Sequence, residues 1–556
     1  MDVSSDAVYC SKSSNVSIIG NNISATYSAV GLYESDEVYL AKNVVSGSTA
    51  VKIFRSTKIT VVSNTISASF AGIEIMASDK NKISSNVIYS DEDATGIRLF
   101  YSSNNTINDN IFYNGGIYVE YGDGHSYKAQ NNSVFNNTVN GKPLIYLENE
   151  KDVSVVNAGQ VIAINCSNIT ITDSDLSNVY VGVKFIDTSN STIKNCIISN
   201  NKYGIYLTEA KKGSKYNLIS SNNISNCDVG VLVDNFEHSD RNNNTILNNS
   251  IINCNSGIKL TYTQQNRVLG NKLKGGCYGL HLSTADSNLI SDNTIDGLRM
   301  QDSSNNLLYD NIIELGCFSI SCSFKKCPNY WNVTKTPGKN ILGGSYLGGN
   351  VWIKPDGLGF SQTCIDEDLD GICDAAFNLS EFYGFPTGNI DYLPLKYSVP
   401  PTASFTFSPS SPTIGQAITF NASQSYDPDG QIVSYQWDFG DGHVDYGKTV
   451  RHVYSQQGTY TVTLTVTDND GLTNTTSKQI TVSAGESNPD GVDDNLEQLI
   501  TKYYPSFDWI TDTPTQQDVL NAVTNAVSQY FSTNDLAVRQ EIVDDVIQLI
   551  QLYFQL

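Results

Sequence analysis

The chain has 556 residues, a formal net charge of −23 and only 16% charged residues. That length exceeds one ordinary core, so several domains or a repeat array are expected. The acidity excludes a nucleic-acid binder, which needs a basic footprint, and no apolar run of about 18 residues is present to form a transmembrane segment.

From the N-terminus, Met1 to Cys10 is polar and lacks the apolar segment of a signal peptide. Repeat material begins almost at once. A secretion signal and an N-terminal cap are therefore expected upstream of this sequence, with a cytosolic protein as the alternative. Abundant Asn, Ser, Thr, Tyr and Ile point to strands and turns. A phrase Asn-x-(Ile/Val/Leu) recurs around Asn21, Asn43, Asn64, Asn86, Asn110 and Asn137, and resumes at Asp173, Asn195, Asn222, Asn249, Asn271, Asn293 and Asn311. Its spacing is mostly about 22 residues, sometimes about 27. Between copies stands Gly-(Ile/Val/Leu)-x-(Leu/Ile/Val), as at Gly72–Ile75, Gly96–Leu99, Gly204–Leu207, Gly230–Val233 and Gly257–Leu260.

Each phrase reads as a strand of roughly three to five residues with alternate side chains apolar. Strands so short persist only when coils stack at about 4.8 Å and bury a continuous core. Glycine before the strand is expected to supply the tight turn, and the recurring Asn to bond its neighbours as a ladder. The Leu-x-x-Leu-x-Leu phrase of leucine-rich repeats is absent.

These residues resemble the NosD-like, PbH1-repeat family of right-handed parallel β-helices, over residues 1–397. The stretch Gly141–Leu147, continuing to Gly159–Cys166, looks like one that recurs in archaeal members, and it is expected to form an extra coil. Gly349, Asn350 and Trp352, an Asp-rich loop and Asp391–Leu395 match the family's C-terminal end. The resemblance implies a surface protein of archaeal type. The family name points to copper-enzyme maturation, which three Met and no His cluster do not support here.

The sharpest small motif is Asp366-Glu367-Asp368-Leu369-Asp370-Gly371-Ile372-Cys373-Asp374. Carboxylates at alternate positions before a glycine wrap oxygens around a hard cation. Structural Ca²⁺ is expected, held by Asp366, Asp368, Asp370, Asp374 and the Ile372 carbonyl. Phe377 stands where an EF-hand has its bidentate Glu, and a solvated acidic turn is the alternative. Cys364 and Cys373 flank the loop as a candidate disulfide, against two free thiols. Cys227, Cys254, Cys277 and Cys317 occupy similar coil positions. They are expected as a ladder of small buried hydrophobes, with inter-coil disulfides as the alternative. Cys322 and Cys327 lack the partners that zinc requires.

Sequons include Asn15, Asn22, Asn131, Asn168 and Asn243, and the candidate glycosylation sites are Asn104, Asn332, Asn378, Asn421 and Asn474. The repeat itself generates the pattern by chance, so only turn-borne Asn are expected to carry glycans. His125, His238, His281, His443 and His452 form no pair with metal or triad spacing. No acidic dyad of a polygalacturonase-like or epimerase-like kind stands in the coils. Asp187, Glu209, Asp234, Glu237 and Arg241 are groove candidates, with solvated turns the preferred reading.

Val399–Pro401 marks a boundary. Residues 399–483 show short strands between turn residues, a β-sandwich pattern. Tyr435–Gly442, Tyr426–Gly430 and Gly458–Val466 resemble the PKD family. That resemblance implies an Ig-like sandwich with Trp437 buried and Asp441-Gly442 closing a hairpin turn, and an extracellular spacer or contact module without catalysis. Residues 484–490 read as a linker. Within 491–556 a phrase occurs at Val492–Tyr504, Val519–Phe531 and Ile542–Phe554, each ending in an aromatic pair. Three amphipathic helices are expected, as a cap, an oligomerisation bundle or a protein-partner site.

The resulting expectation is a mainly β protein: a right-handed parallel β-helix, a PKD sandwich and a small three-helix tail. It would be an extracellular surface protein contacting polysaccharide, cell-envelope glycans or a protein partner, with no catalysis evident. A carbohydrate-active enzyme with a groove on one sheet face is one alternative, and a virus spike or adhesin another.

Overall fold

The computed structural model describes residues 6–120, 130–235, 242–323, 327–380, 388–428, 430–484, 494–507, 514–533 and 535–553. His125, Glu237, His238, Arg241, Val492, Phe554 and nearly all of the linker lie outside them. The chain divides into two compact units, Met1–Tyr397 and Ser398–Leu556.

The first unit is a parallel β-solenoid of about 14 turns. Three-residue strands such as Ser17–Ile19 and Thr192–Lys194 turn only their middle residue inward. In register, these residues stack as Ile18, Leu40, Val61, Ile83 and Ile107 in the earlier coils. The later stack runs Ile171, Ile193, Ile219, Ile246, Val268, Ile290 and Leu308. One inward residue per strand suffices because the coils above and below shield it from water.

The Asn ladder is present, and each rung does two jobs. Asn64 Oδ1 accepts the Asn43 backbone N–H at 2.9 Å and the Asn43 amide at 3.0 Å, while Asn64 Nδ2 donates to Leu40 O at 2.9 Å. The amide thus satisfies backbone groups at a corner that no strand pairing reaches. A second ladder, unnoticed in the sequence, runs through Asn217, Asn244, Asn266, Asn288 and Asn306.

The glycine that opens the Gly-apolar phrase does not make a turn, contrary to expectation, although Gly20 and Gly270 hold positive φ just before Asn21 and Asn271. Positive φ falls on Lys42, Ser63, Ser85, Asp109 and Asn136, each just before a ladder Asn. Gly204 and Gly230 lie within strands instead. A Cβ at Gly204 would sit 2.5 Å from Gly230 O, and one at Gly230 would sit 2.6 Å from Gly257 O. Close approach of successive coils is what excludes a side chain there.

Lys142–Glu148 supplies the extra coil, antiparallel to Thr138–Val139 and parallel to Gln160–Ile164. All five residues of Gln160–Ile164 are buried. Val161 and Ala163 belong to the core of the later coils, and Ile162 and Ile164 to that of the earlier ones. The solenoid therefore has two cores that meet across the neighbouring strands Lys142–Glu148, Gln160–Ile164 and Val181–Ile186. At the C-terminal end the main ladder passes from Asn311 to Asn350 and stops at buried Asp391, which accepts from Asn350 N at 2.8 Å and Trp352 Nε1 at 2.9 Å. A single helical turn, α1 (Phe360–Thr363), packs near this end.

In the second unit, Thr406–Ser408, Ala417–Asn421 and Thr449–Val453 form one antiparallel sheet. Val444–Tyr446, Ile432–Asp438, Gly458–Asp468 and Thr473–Val482 form the other. Trp437 is fully buried between them and donates to Gly447 O at 2.9 Å. The tail has α2 (Asp494–Tyr503), α3 (Gln516–Ser532) and α4 (Leu536–Tyr553), so the described residues hold four short helices, three of them in the tail. Its aromatic pairs do not enter the core together: Tyr503 is buried, whereas Phe531 is 75% exposed.

Candidate functional site

The acidic loop brings Asp366, Asp368 and Asp370 together, with ligand oxygens within 4.8 Å of one another. Asp366 accepts from Asp370 N at 3.2 Å and Gly371 N at 2.9 Å, and Asp374 accepts from Glu367 N at 3.0 Å. Burial raises the Asp366 carboxyl, and Asp368 and Asp374 raise it further. Lys335 reaches in to pair with Asp370. The oxygen-only donor set fits a hard cation. Cys364 and Cys373 are joined by a disulfide across the loop, and Cys322 and Cys327 by another.

The cysteine ladder holds only in part. Cys227 and Cys254 are buried, but Cys277 is exposed and Cys317 half-buried, with their sulfurs 2.9 Å apart. The reason is Gly297 in the coil between them: a Cβ there would lie 3.0 Å from Cys317 Cβ, so its absence lets the two thiols meet outside the core.

Among the candidate glycosylation sites, Asn104 stands exposed on a turn at φ 57°. The Asn332 amide donates to Val333 O at 3.2 Å and that of Asn474 to Pro401 O at 2.8 Å. Asn378 and Asn421 use their oxygens to accept from Ser380 and Ser423.

Of the groove candidates, Asp187 is a structural staple. Its Oδ1 accepts backbone N–H bonds from Ala210, Lys211, Lys212 and Gly213 at 2.9 to 3.1 Å. Glu209 is half-buried. Burial raises the Asp234 carboxyl, and Lys259 and Lys184 oppose that rise.

A different site lies where the two solenoid cores meet. Gln160, fully buried, accepts from Ile117 N at 2.8 Å and donates to Ile117 O and Val181 O at 2.9 Å each. Tyr118, Tyr180, Tyr203 and Tyr206, all half-buried, follow one another there with ring centroids 4.8, 5.9 and 5.2 Å apart. Lys184 lies against the array, 2% exposed, its Nζ 3.9 Å from the Tyr118 ring centroid and 4.5 Å from that of Tyr206. Burial pulls the ammonium down to about 7; Glu120 and Asp234 resist, and Arg98 adds to the fall. Arg98 itself pairs with Glu120 at 2.5 Å and Glu74 at 3.6 Å.

Tyr180 also lines a cleft of about 270 Å³ with Asp91, Asp93, Asn114, Asn178 and Asn200. Asp93, Asn114, Asn178 and Asn200 all have positive φ, a conformation their short polar side chains tolerate. Ring faces beside amides and carboxylates match a sugar, whose C–H face stacks while its hydroxyls hydrogen-bond. Sequence reading missed these residues because no motif joins them. The available signal was the solvent-side position of the glycine phrase, which reads Lys184, Tyr206, Leu232 and Lys259 in successive coils.

The expectation that no histidines pair also fails. His443 and His452 converge on Asp441 through the folding of the sandwich. On the tail, Val527, Phe531, Val543 and Ile547 border an apolar recess of about 250 Å³. Among the described residues no helix is long and apolar enough to cross a membrane.

Residues 136–357 match the NosD family, described as a periplasmic copper-binding protein; residues 6–158 match the right handed beta helix region, and residues 398–482 the PKD domain. The chain carries a NosD-like right-handed β-helix and a PKD domain. A microbial collagenase of Vibrio alginolyticus is 45% identical over 71 residues, 13% of this chain and 9% of the relative. Collagenase ColA of Clostridium perfringens is 39% identical over 102 residues, 18% of this chain and 8% of the relative. The chain thus spans less than a tenth of the length of these curated relatives. Both are bacterial, and the archaeal assignment has no support from them. Among solved structures, the PKD1 domain of Vibrio anguillarum Epp is 38% identical and covers 16% of this chain and 99% of that one, with a TM-score of 0.15. The periplasmic alginate epimerase AlgG is 12% identical and covers 48% of this chain and 75% of that one, with a TM-score of 0.26.

Copper takes imidazole, thiolate or thioether donors. In the NosD-like β-helix Met300 is fully buried and Cys277 and Cys317 bring two thiols together outside the core, while the clusters of three possible ligands among the described residues are the all-carboxylate Asp366 loop and the Asp441 cluster of the PKD domain. Among the described residues the β-helix therefore assembles no set of three copper donors.

Proposed function

We propose that this chain is a glycan-contacting β-helix scaffold displayed outside the cytoplasm. The observation that carries the reading is the tyrosine array opening into the Asn- and Asp-lined cleft at Tyr180. A sugar ring stacks on Tyr180 and Tyr203, and its hydroxyls meet Asn114, Asn178 and Asn200. A sugar stacked on an aromatic ring buries a large apolar area against a rigid side chain. Ca²⁺ in the Asp366–Asp374 loop fixes the C-terminal end, and glycans attach at turn-borne Asn such as Asn104. Titration of the full chain with a panel of neutral and acidic polysaccharides tests the site. Tyr180→Ala with Tyr203→Ala is expected to abolish retention, and unchanged binding by that double variant sinks the proposal. For calcium, chelation should lower the melting temperature of the wild type but not of Asp368→Ala; no shift in either refutes the loop as a site.

Lys184 favours a second reading, a carbohydrate-active enzyme. A lysine held near neutrality by burial, with tyrosines and Arg98 around it, has the makings of a base that removes a proton next to a sugar carboxylate. New reducing ends or unsaturated uronates after incubation would establish it, and binding without either product favours the scaffold.

A further inference from the structure

The PKD domain folds three metal-binding side chains together from both of its sheets. Asp441 and His443 sit in the connection between Ile432–Asp438 and Val444–Tyr446, which pair with Asp438 opposite Val444. His452 comes from Thr449–Val453, a strand of the opposite sheet. One carboxylate oxygen of Asp441 lies 2.8 Å from His452 Nε2, the other 3.2 Å from His443 Nδ1. One ligand atom from each residue lies within 4.8 Å of the other two.

The site is built rather than accidental in its inner half. The His452 ring stacks on Phe439 at 4.0 Å with planes 2° apart, and stands edge-on to Tyr454 at 4.6 Å. Tyr454 OH in turn donates to Phe439 O at 2.8 Å. The His452 side chain is 11% exposed and that of Asp441 17%, so both are fixed by their surroundings. Asp441 also accepts the His443 backbone N–H at 3.1 Å, which orients the carboxylate. Only the His443 ring, 74% exposed, is free to swing and close the site.

We infer that Asp441, His443 and His452 bind a divalent late transition-metal ion of the Zn²⁺ class. Two imidazole nitrogens and one carboxylate oxygen are a donor set for such ions, whereas Ca²⁺ and Mg²⁺ prefer oxygen alone. Each imidazole offers a lone pair once its proton resides on the other ring nitrogen, so neutral rings bind without net proton release. Three protein ligands leave a fourth position open toward solvent, where water or an outside carboxylate can coordinate. The ion ties one sheet of the sandwich to the other.

The test is calorimetric titration of the full chain with Zn²⁺, in excess Ca²⁺ and after alkylation of accessible thiols, since Cys277 and Cys317 would compete. One equivalent is expected to bind. His443→Ala, a change at an exposed ring that leaves the fold intact, should weaken binding by at least about tenfold, or ~1.4 kcal/mol. As a second readout, Zn²⁺ should shift the ring-proton NMR signals of both His443 and His452. Equal Zn²⁺ affinity in wild type and His443→Ala, or no binding and no shift of these signals, overturns the inference and leaves Asp441 as a hydrogen-bond acceptor for two imidazoles.

Discussion

The regular coils and the junction between the two solenoid cores use the same strands to opposite ends. In a regular coil such as Ser256–Thr261, Lys259 lies on the solvent side and is partly exposed, while Ile258 and Leu260 are fully buried. At the junction the strand Gln160–Ile164 is buried on both faces, and Lys184 one coil later is buried with it. Repetition therefore builds the rod, and the interruption of repetition builds a site. The cleft, the tyrosine array and the buried lysine all lie where one stack of coils ends and the other begins.

The largest blow to the junction should come from Gln160→Leu. It strands Ile117 N–H, Ile117 C=O and Val181 C=O in the interior, at about 4 kcal/mol in sum. Glycan retention should fall with it, because Tyr118 and Tyr180 lose their common anchor. The matching change in a regular coil is Gly257→Val, in the strand Ser256–Thr261. Its Cβ would meet Gly279 O at 2.5 Å, costing about 3 kcal/mol. This variant is expected to lower urea resistance while leaving polysaccharide binding intact in the folded fraction. If both variants lose binding equally, the junction has no special role.

The contrast also explains what the sequence disclosed. Ladder residues such as Asn64 and Asn249, and inward residues such as Ile219, repeat because each coil presents the same environment, so periodicity reveals them. The turn chemistry was misread at Gly204 because glycine can serve positive φ or close approach, and only the neighbouring coil's carbonyl decides between them. Asp366, Asp368 and Asp370 were legible because all ligands of a loop are local in sequence. Tyr118, Tyr180 and Tyr203, or Asp441 and His452, come from separate elements, and spacing says nothing about which coils or sheets bring them together.

The capped end offers a smaller test through pH. Burial raises the Asp310 carboxyl to about 7, helped by its neighbour Asp292 and opposed by the Ile341 N–H. Burial likewise raises Asp391 to about 7, against N–H donors from Asn350, Trp352 and Leu393. Unfolded Asp titrates near about 3.9. Between these values the folded state binds more protons than the unfolded state, so these groups stabilise at low pH and the benefit is lost as pH rises through 7. The melting temperature should fall by a few degrees from pH 5 to pH 8, and Asp310→Asn should remove part of that fall. A flat or rising profile in the wild type contradicts the buried, protonated carboxyls.

The smallest expected effect is the most informative about the junction. Lys184 is depressed to about 7 by burial, while an unfolded lysine titrates near about 10.4. The folded state therefore binds fewer protons than the unfolded state in that window, and the penalty for the lysine grows as pH falls toward 7. Replacing a buried charge by an apolar side chain of similar length removes that penalty, so Lys184→Met should stabilise by about 1 kcal/mol or more at pH 6. The gain should shrink as pH rises from about 7 through about 10.4, above which the lysine is neutral in both states. A residue kept at such a cost for no purpose of packing belongs to the site, and the variant should then bind acidic glycans less well while melting higher. If Lys184→Met instead destabilises at pH 6, the stacking of its ammonium on Tyr118 and Tyr206 outweighs desolvation, and the lysine is a strut of the junction rather than a part of its chemistry.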